Sequence, residues 1–147
     1  MESSLWDEAT VMRKTQLIGI ALALTIPASP CHSQQQLLPP DQAFRIQSTQ
    51  VDPSAVVFNF SIRPGYILYY ERFAFSGAEI DRIELPAPQS KFDPVLGKTV
   101  QFYRDTVSAK VVLRPSANRS LLVASAQGCA QELGVCYPPV SATHRLQ

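Results

Sequence analysis

Cys129 and Cys136 are the side chains whose type and spacing point most directly to chemistry. They stand in the run Gln127-Gly128-Cys129-Ala130-Gln131-Glu132-Leu133-Gly134-Val135-Cys136-Tyr137-Pro138-Pro139. A bridge between them closes a loop of eight residues, which on chain-entropy grounds stabilises the fold by roughly 2.5 kcal/mol, less than a long cross-link gives. Stability is therefore a modest reason for this bridge. A short bridge at the surface is one that a partner thiolate can attack and reverse through a mixed disulfide. The competing reading is a structural staple of the kind common in small exported domains, and spacing alone favours it. The wider sequence is what shifts the balance toward a redox pair.

Other chemistries find less support. Metal binding through Cys129, Cys136 and His144 lacks a fourth ligand and any standard spacing, so neither a metal nor another cofactor is expected. Ser/His/Asp catalysis has no motif, because His32 falls in a leader segment and His144 stands alone near the terminus. No Cys-x-x-Cys opens a helix and no base cluster lies nearby in sequence, while Glu132 inside the loop disfavours a thiolate. The pair is expected to be a slow nucleophile by itself, with rates set by docking and by the partner's cysteine.

The compartment is read from the first third of the chain. Leu17 to Ile26 is an apolar run preceded by Arg13 and Lys14 and followed by small and turn residues, the pattern of a secretory signal. Its ten residues are too few to span a membrane, which takes about twenty. Glu2, Asp7 and Glu8 place acid where such a signal carries base, so Met12 is a candidate start. Cleavage is expected after Ser33, with Ser29 as the alternative, leaving a soluble, periplasmic domain over residues 34–147. Lipidation of Cys31 is disfavoured by Pro30 before it. If residues 1–33 leave, Cys31 goes with them and three cysteines become a pair, as an oxidising compartment favours.

That segment carries two basic and three acidic side chains of the chain's 13 Lys+Arg and 12 Asp+Glu, so 11 and 9 remain and the formal charge is +2. Such a balance argues against nucleic acid or an anionic membrane as partner. The remaining 114 residues suffice for one domain with a core.

The elements that must position the cysteines read as strands. Val56, Phe58, Phe60 and Ile62 alternate with Val57, Asn59 and Ser61, and Val107, Ala109, Val111 and Leu113 alternate with Ser108 and Lys110. Tyr66 to Phe75 and Leu121 to Ala126 are further candidates. Pro53, Pro64-Gly65, Ser76-Gly77, Pro86-Ala87-Pro88 and Pro115-Ser116 punctuate these runs. An antiparallel all-β sandwich is the expected architecture. Most of the aromatics clustered between Tyr66 and Phe75 belong to its core. Alternation puts Tyr66 and Tyr70 on one face and Tyr69, Phe73 and Phe75 on the other, so one or two tyrosines are expected to line a site.

The Gln127 to Pro139 run is accompanied by Leu38-Pro39-Pro40-Asp41-Gln42-Ala43-Phe44, by Gly65-Tyr66 with Leu68-Tyr69, by Gly97-Lys98 and by Tyr103-Arg104-Asp105. In these five motifs and their order the chain resembles a known family, the N-terminal periplasmic domain of the transmembrane thiol:disulfide interchange protein DsbD. The resemblance implies an immunoglobulin-like β-sandwich and a protein-disulfide reductase activity. The pair would be reduced by a thioredoxin-like donor and would pass electrons to periplasmic disulfide isomerases and to thiol proteins of cytochrome c maturation. It implies that Cys136 forms the mixed disulfide and Cys129 resolves it. Independently of the resemblance, Tyr66, Tyr69, Tyr137 and Glu132 are candidates to line the site.

It also implies a cap loop over the sulfurs, matched here by Phe92-Asp93-Pro94-Val95-Leu96-Gly97-Lys98. Where the family presents an aromatic ring, this chain has Val95 or Leu96, and Phe92 is the candidate substitute. An ordinary Pro- and Gly-containing loop is the alternative reading of this segment. The cysteine loop is about a residue longer than the family's. Full-length members continue into a multi-helix membrane domain and a thioredoxin-like domain. This sequence contains neither, and a fragment and a free-standing form both stay open. A non-catalytic immunoglobulin-like binding module with a structural disulfide is the competing function.

Overall fold

Period-two alternation builds the first sheet. The computed structural model describes residues 36–94, 96–115 and 121–147. The expected signal segment 1–33 and Val95 of the expected cap lie outside the described residues. In β2 (Ala55–Ile62), Val56, Phe58, Phe60 and Ile62 are buried while Asn59 and Ser61 are exposed. In β8 (Thr106–Leu113), Val107, Ala109, Val111 and Leu113 are buried. Alternate side chains of a strand point to opposite faces. Antiparallel pairing of Phe58 with Ala109 and Phe60 with Val107 therefore puts both apolar sets on one face. With β1 (Phe44–Asp52) and β5 (Ile80–Glu84) outside them, the order is β1-β2-β8-β5.

Two further sheets lie against that apolar face. One has the order β12-β9-β4, with β9 (Leu121–Ala126) between β12 (Val140–Arg145) and β4 (Ala74–Ser76). The other runs β11-β10-β3-β7-β6, from β11 (Val135–Cys136) and β10 (Gly128–Ala130) through β3 (Tyr66–Tyr69) and β7 (Lys98–Tyr103) to β6 (Gln89–Asp93). A single core gathers Phe58, Phe60 and Val111 with Leu122 of β9 and Leu68 and Tyr103 of the five-stranded sheet. Each such large side chain contributes about 1.5–3 kcal/mol by leaving water. The expected antiparallel all-β sandwich is therefore what forms.

One expectation fails. Tyr66 to Phe75 is not a single strand. A 3-10 turn at Tyr70–Arg72 separates β3 from β4, and the two strands join different sheets. A 3-10 turn advances about 2.0 Å per residue, against about 3.3 Å in a strand, so the two-residue phase is reset across it. Tyr66 is consequently buried while Tyr70 is exposed. Phe73 and Phe75 turn into the core, with ring centroids 4.9 Å from Phe60 and 6.0 Å from Phe58. Tyr69 does not share their surroundings, as the site geometry makes clear.

The short connection from β7 to β8 crosses between sheets at Arg104-Asp105. Asp105 sits at φ 59°, a left-handed conformation that Asp tolerates better than most residues, and its carbonyl accepts the Ile62 N–H at 2.7 Å. Among the described residues, no helix is long and apolar enough to cross a membrane.

Candidate functional site

The two cysteines face each other across a hairpin. β10 and β11 pair antiparallel with Cys129 opposite Cys136, and residues 131–134 turn between them with Gly134 at φ 64°. The Tyr137 N–H donates to the Gly128 carbonyl at 2.9 Å, which makes Cys129 and Cys136 a non-hydrogen-bonded pair, the register in which opposed side chains come closest. Their Cα atoms are 3.9 Å apart and the sulfurs are bonded at 2.02 Å.

The two cysteines differ sharply in exposure. β10 is an interior strand, paired to β3 with Cys129 opposite Ile67, and Cys129 is 4% exposed. β11 is the edge of the sheet, and both its residues are exposed, Cys136 among them. The pair also stands apart from the main core. Gly128 and Ala130 face inward, whereas Cys129, Ile67, Val100 and Phe102 are buried on the opposite face and do not join the central cluster. This second apolar layer is roofed in part by cations, with Lys91 Nζ 5.3 Å and the Arg104 guanidinium 5.1 Å from the Phe102 ring centroid.

Gly128 permits the arrangement. A Cβ there would lie 2.1 Å from the Ile67 carbonyl oxygen, 2.8 Å from Phe44 Cζ and 2.9 Å from Leu68 Cδ2. On either side β10 is tied to the β3 segment, by Tyr69 N–H to the Gln127 carbonyl at 3.1 Å and by Gln131 N–H to the Gly65 carbonyl at 2.8 Å. The Gln127 side chain reaches the following strand, its Nε2 donating to the Tyr137 carbonyl at 2.9 Å.

Beneath the hairpin, Tyr137 and Tyr66 clamp the N-terminal segment. The Tyr137 hydroxyl donates to the Leu38 carbonyl at 2.6 Å, and the Leu38 N–H donates to the Tyr66 hydroxyl at 2.9 Å. Phe44 meets both rings edge-on, at 5.5 and 5.8 Å. Burial, reinforced by Tyr66, pushes the Tyr137 phenol up to about 12. Both tyrosines therefore lie on the core side of the hairpin, behind the disulfide.

Two clefts flank the disulfide, of about 200 and 290 Å³, and both are lined by Tyr69, Leu96, Cys129 and Cys136. Tyr69 thus faces the sulfurs, and burial, then the Asp93 carboxylate, raises its phenol pKa. Arg72, Lys98 and Gln127 border the first cleft, and Phe92 and Pro94 the second. Glu132 instead lies exposed on the turn, bordering a separate hollow beside Tyr66.

The segment matched to a cap is the tip of the β6–β7 hairpin. Asp93 pairs with Lys98, and its Oδ1 accepts the Leu96 N–H at 3.1 Å, closing a turn in which Gly97 sits at φ 64°. Leu96 is 55% and Phe92 64% exposed, so the apolar side chains stand over the clefts without sealing them.

The sequence carries no base cluster beside the pair; in the fold, two cations and the Glu71 side chain border the first cleft that both cysteines line. Arg72 arrives from the 3-10 turn and Lys98 from β7. No periodicity marks Arg72 in advance. Gln127 stands two residues before Cys129, so alternation on a strand was the available signal for it.

Residues 34–147 match the family described as "Thiol:disulfide interchange protein DsbD, N-terminal". The chain is 35% identical over 141 residues to the thiol:disulfide interchange protein DsbD of Ralstonia nicotianae, covering 92% of this chain and 23% of that protein. It is 36% identical over 110 residues to that of Cronobacter sakazakii, covering 74% of this chain and 19% of that protein. The chain thus spans about a quarter or less of the length of these relatives. Among solved structures, it is similar to the reduced form of the Neisseria meningitidis DsbD N-terminal domain, with a TM-score of 0.65 and 26% identity over 76% of this chain and 90% of that one. It is likewise similar to a structure of the complex between the DsbD N-terminal and PilB N-terminal domains from the same organism, with a TM-score of 0.63 and 26% identity over 75% and 87% of the two chains. The immunoglobulin-like fold that the resemblance implied is met. Shared sequence over the whole described domain and a shared sandwich beneath the cysteine hairpin lead to one assignment: the chain belongs to the family of DsbD N-terminal domains.

Proposed function

We propose that this domain is a thiol-disulfide relay in the periplasm, working through Cys129 and Cys136. The observation that carries the reading is the asymmetry of the two cysteines, one an exposed residue on an edge strand and the other a buried residue beside it. A thiolate of the donor attacks Cys136 Sγ, the S–S bond breaks, and its electron pair leaves on Cys129 Sγ, which takes up a proton. The donor's second thiol then displaces Cys136, leaving the domain as a dithiol and the donor as a disulfide. In the forward half, the Cys136 thiolate attacks a target disulfide. Cys129 then attacks Cys136 Sγ, re-forming the bridge and releasing the target as a dithiol.

The donor is a thioredoxin-like protein, and the recipients are disulfide isomerases and thiol proteins of cytochrome c maturation. The family resemblance supports these partners, and the complex of the DsbD N-terminal and PilB N-terminal domains from Neisseria meningitidis supports docking of a partner domain. The tip of the β6–β7 hairpin acts as the cap, with Leu96 and Phe92 limiting access until a partner displaces them. Tyr69 lines the docking site, while Tyr66 and Tyr137 hold the hairpin from behind. Glu132 lies on the rim.

The test is trapping. Cys129→Ser and Cys136→Ser proteins are each mixed with a thioredoxin-like protein that retains one cysteine, activated as its thionitrobenzoate mixed disulfide. The Cys129→Ser protein is expected to form the covalent complex and the Cys136→Ser protein not to. Equal trapping by both, or by neither, overturns the proposal in favour of a stapled binding module.

A further inference from the structure

After Cys136 the chain runs Tyr137-Pro138-Pro139, and the two prolines have no N–H to offer a neighbouring strand. β11 is two residues long and lies at the sheet edge. On this side two hydrogen bonds tie it to the β10 segment. One is backbone, Tyr137 N–H to the Gly128 carbonyl at 2.9 Å. The other is the Gln127 amide to the Tyr137 carbonyl at 2.9 Å, in which a side chain reaches the acceptor that in a regular ladder faces the Gly128 N–H. Gln127 is itself anchored, its carbonyl accepting the Tyr69 N–H at 3.1 Å, and it borders the cleft that both cysteines line.

We infer that Gln127 is a positioning residue that holds Cys136 opposite Cys129 while the pair is reduced, and so sets the effective concentration of the two thiols. The inference rests on the proposed relay. In the oxidised protein the S–S bond keeps β11 in register whatever Gln127 does. Once that bond is broken, the register depends on hydrogen bonds at a short edge strand. A reduced β11 released from Gln127 gains conformational freedom, and re-forming the disulfide must remove it again. The resolving step feels the same cost. There the Cys129 thiolate attacks Cys136 Sγ and the target's sulfur leaves as a thiolate that takes up a proton. Its rate depends on how often the two sulfurs meet in line.

The test replaces Gln127 by methionine, similar in length and lacking the donor, with Gln127→Leu as a second variant should the first fold poorly. A net hydrogen-bond contribution implies that the equilibrium constant for oxidising the pair with glutathione disulfide falls about fivefold. That corresponds to a reduction potential about 20 mV less negative. The mixed disulfide on Cys136 is expected to live about fivefold longer than in the wild type. A purely structural role would lower the thermal midpoints of oxidised and reduced protein alike and leave the potential and the lifetime unchanged, and that result overturns the inference. Failure of the relay itself reads out separately, as loss of trapping by the Cys129→Ser protein, which keeps Gln127.

Discussion

Replacing Gly128 with alanine tests how the cysteine hairpin is seated. The added Cβ would stand 2.1 Å from the Ile67 carbonyl oxygen, a backbone atom that no rotamer change can move away. It would also meet Phe44 Cζ at 2.8 Å and Leu68 Cδ2 at 2.9 Å. Relief requires β10 to move away from β3. The bonds most exposed to that motion are Tyr69 N–H to the Gln127 carbonyl and Gln131 N–H to the Gly65 carbonyl. Two weakened hydrogen bonds cost about 1–3 kcal/mol, and overpacking adds about 1–3 kcal/mol. The expected loss is therefore about 2–6 kcal/mol, read as a lower urea midpoint at unchanged slope in the oxidised protein. A loss below about 0.5 kcal/mol, the size of an ordinary surface substitution, would refute the close approach of β10 to β3.

Three further outcomes follow from the same geometry. Tyr137→Phe removes the hydroxyl that satisfies the Leu38 carbonyl and is expected to cost about 1–3 kcal/mol in urea unfolding. In the wild type, Tyr137 should be among the last tyrosines to ionise in a spectrophotometric titration. Because burial raises its folded pKa from 10.0 to about 12, its contribution to stability is complete below pH 10 and is lost as pH rises from about 10 through 12; a phenol titrating near 10 would contradict its burial. Leu96→Ala trims an apolar side chain that is about half buried over the clefts. At about 0.7–1.4 kcal/mol for that burial, reduction by dithiothreitol should speed up about 3–10-fold, and an unchanged rate would mean that the hairpin tip does not limit access.

The sequence was most legible where one physical pattern acted alone. Val56 to Ile62 and Val107 to Leu113 alternate cleanly, and both strands form as the alternation requires. The break at Tyr70–Arg72 was illegible, because every residue from Tyr66 to Phe75 suits a strand or its edge and the turn is imposed by a change of sheet. The phase reset there parts Phe73 and Phe75 from Tyr69, which keeps the face that alternation within β3 gives it. The cysteine pair was visible from its spacing, but its burial asymmetry was not, since that follows from β11 being an edge and β10 an interior strand. The same holds for contacts between distant residues. Leu38 and Tyr137 are 99 positions apart, and Arg72 reaches the cleft only through the fold, so neither leaves a local signature. The family motifs do converge in space, because Gly65, Leu38 and Gln127 each bond to the cysteine hairpin or to Tyr137 beside it.

The central claim is that the bridge between Cys129 and Cys136 is there to be broken. Its reduction potential, measured by equilibrating the protein in graded thiol/disulfide buffers and counting free thiols, tests that claim most directly. The relay predicts a value between about −180 and −270 mV, the range of exchanging oxidoreductases. A value below about −300 mV, where structural bridges lie, would contradict it and leave a sandwich whose disulfide is a staple.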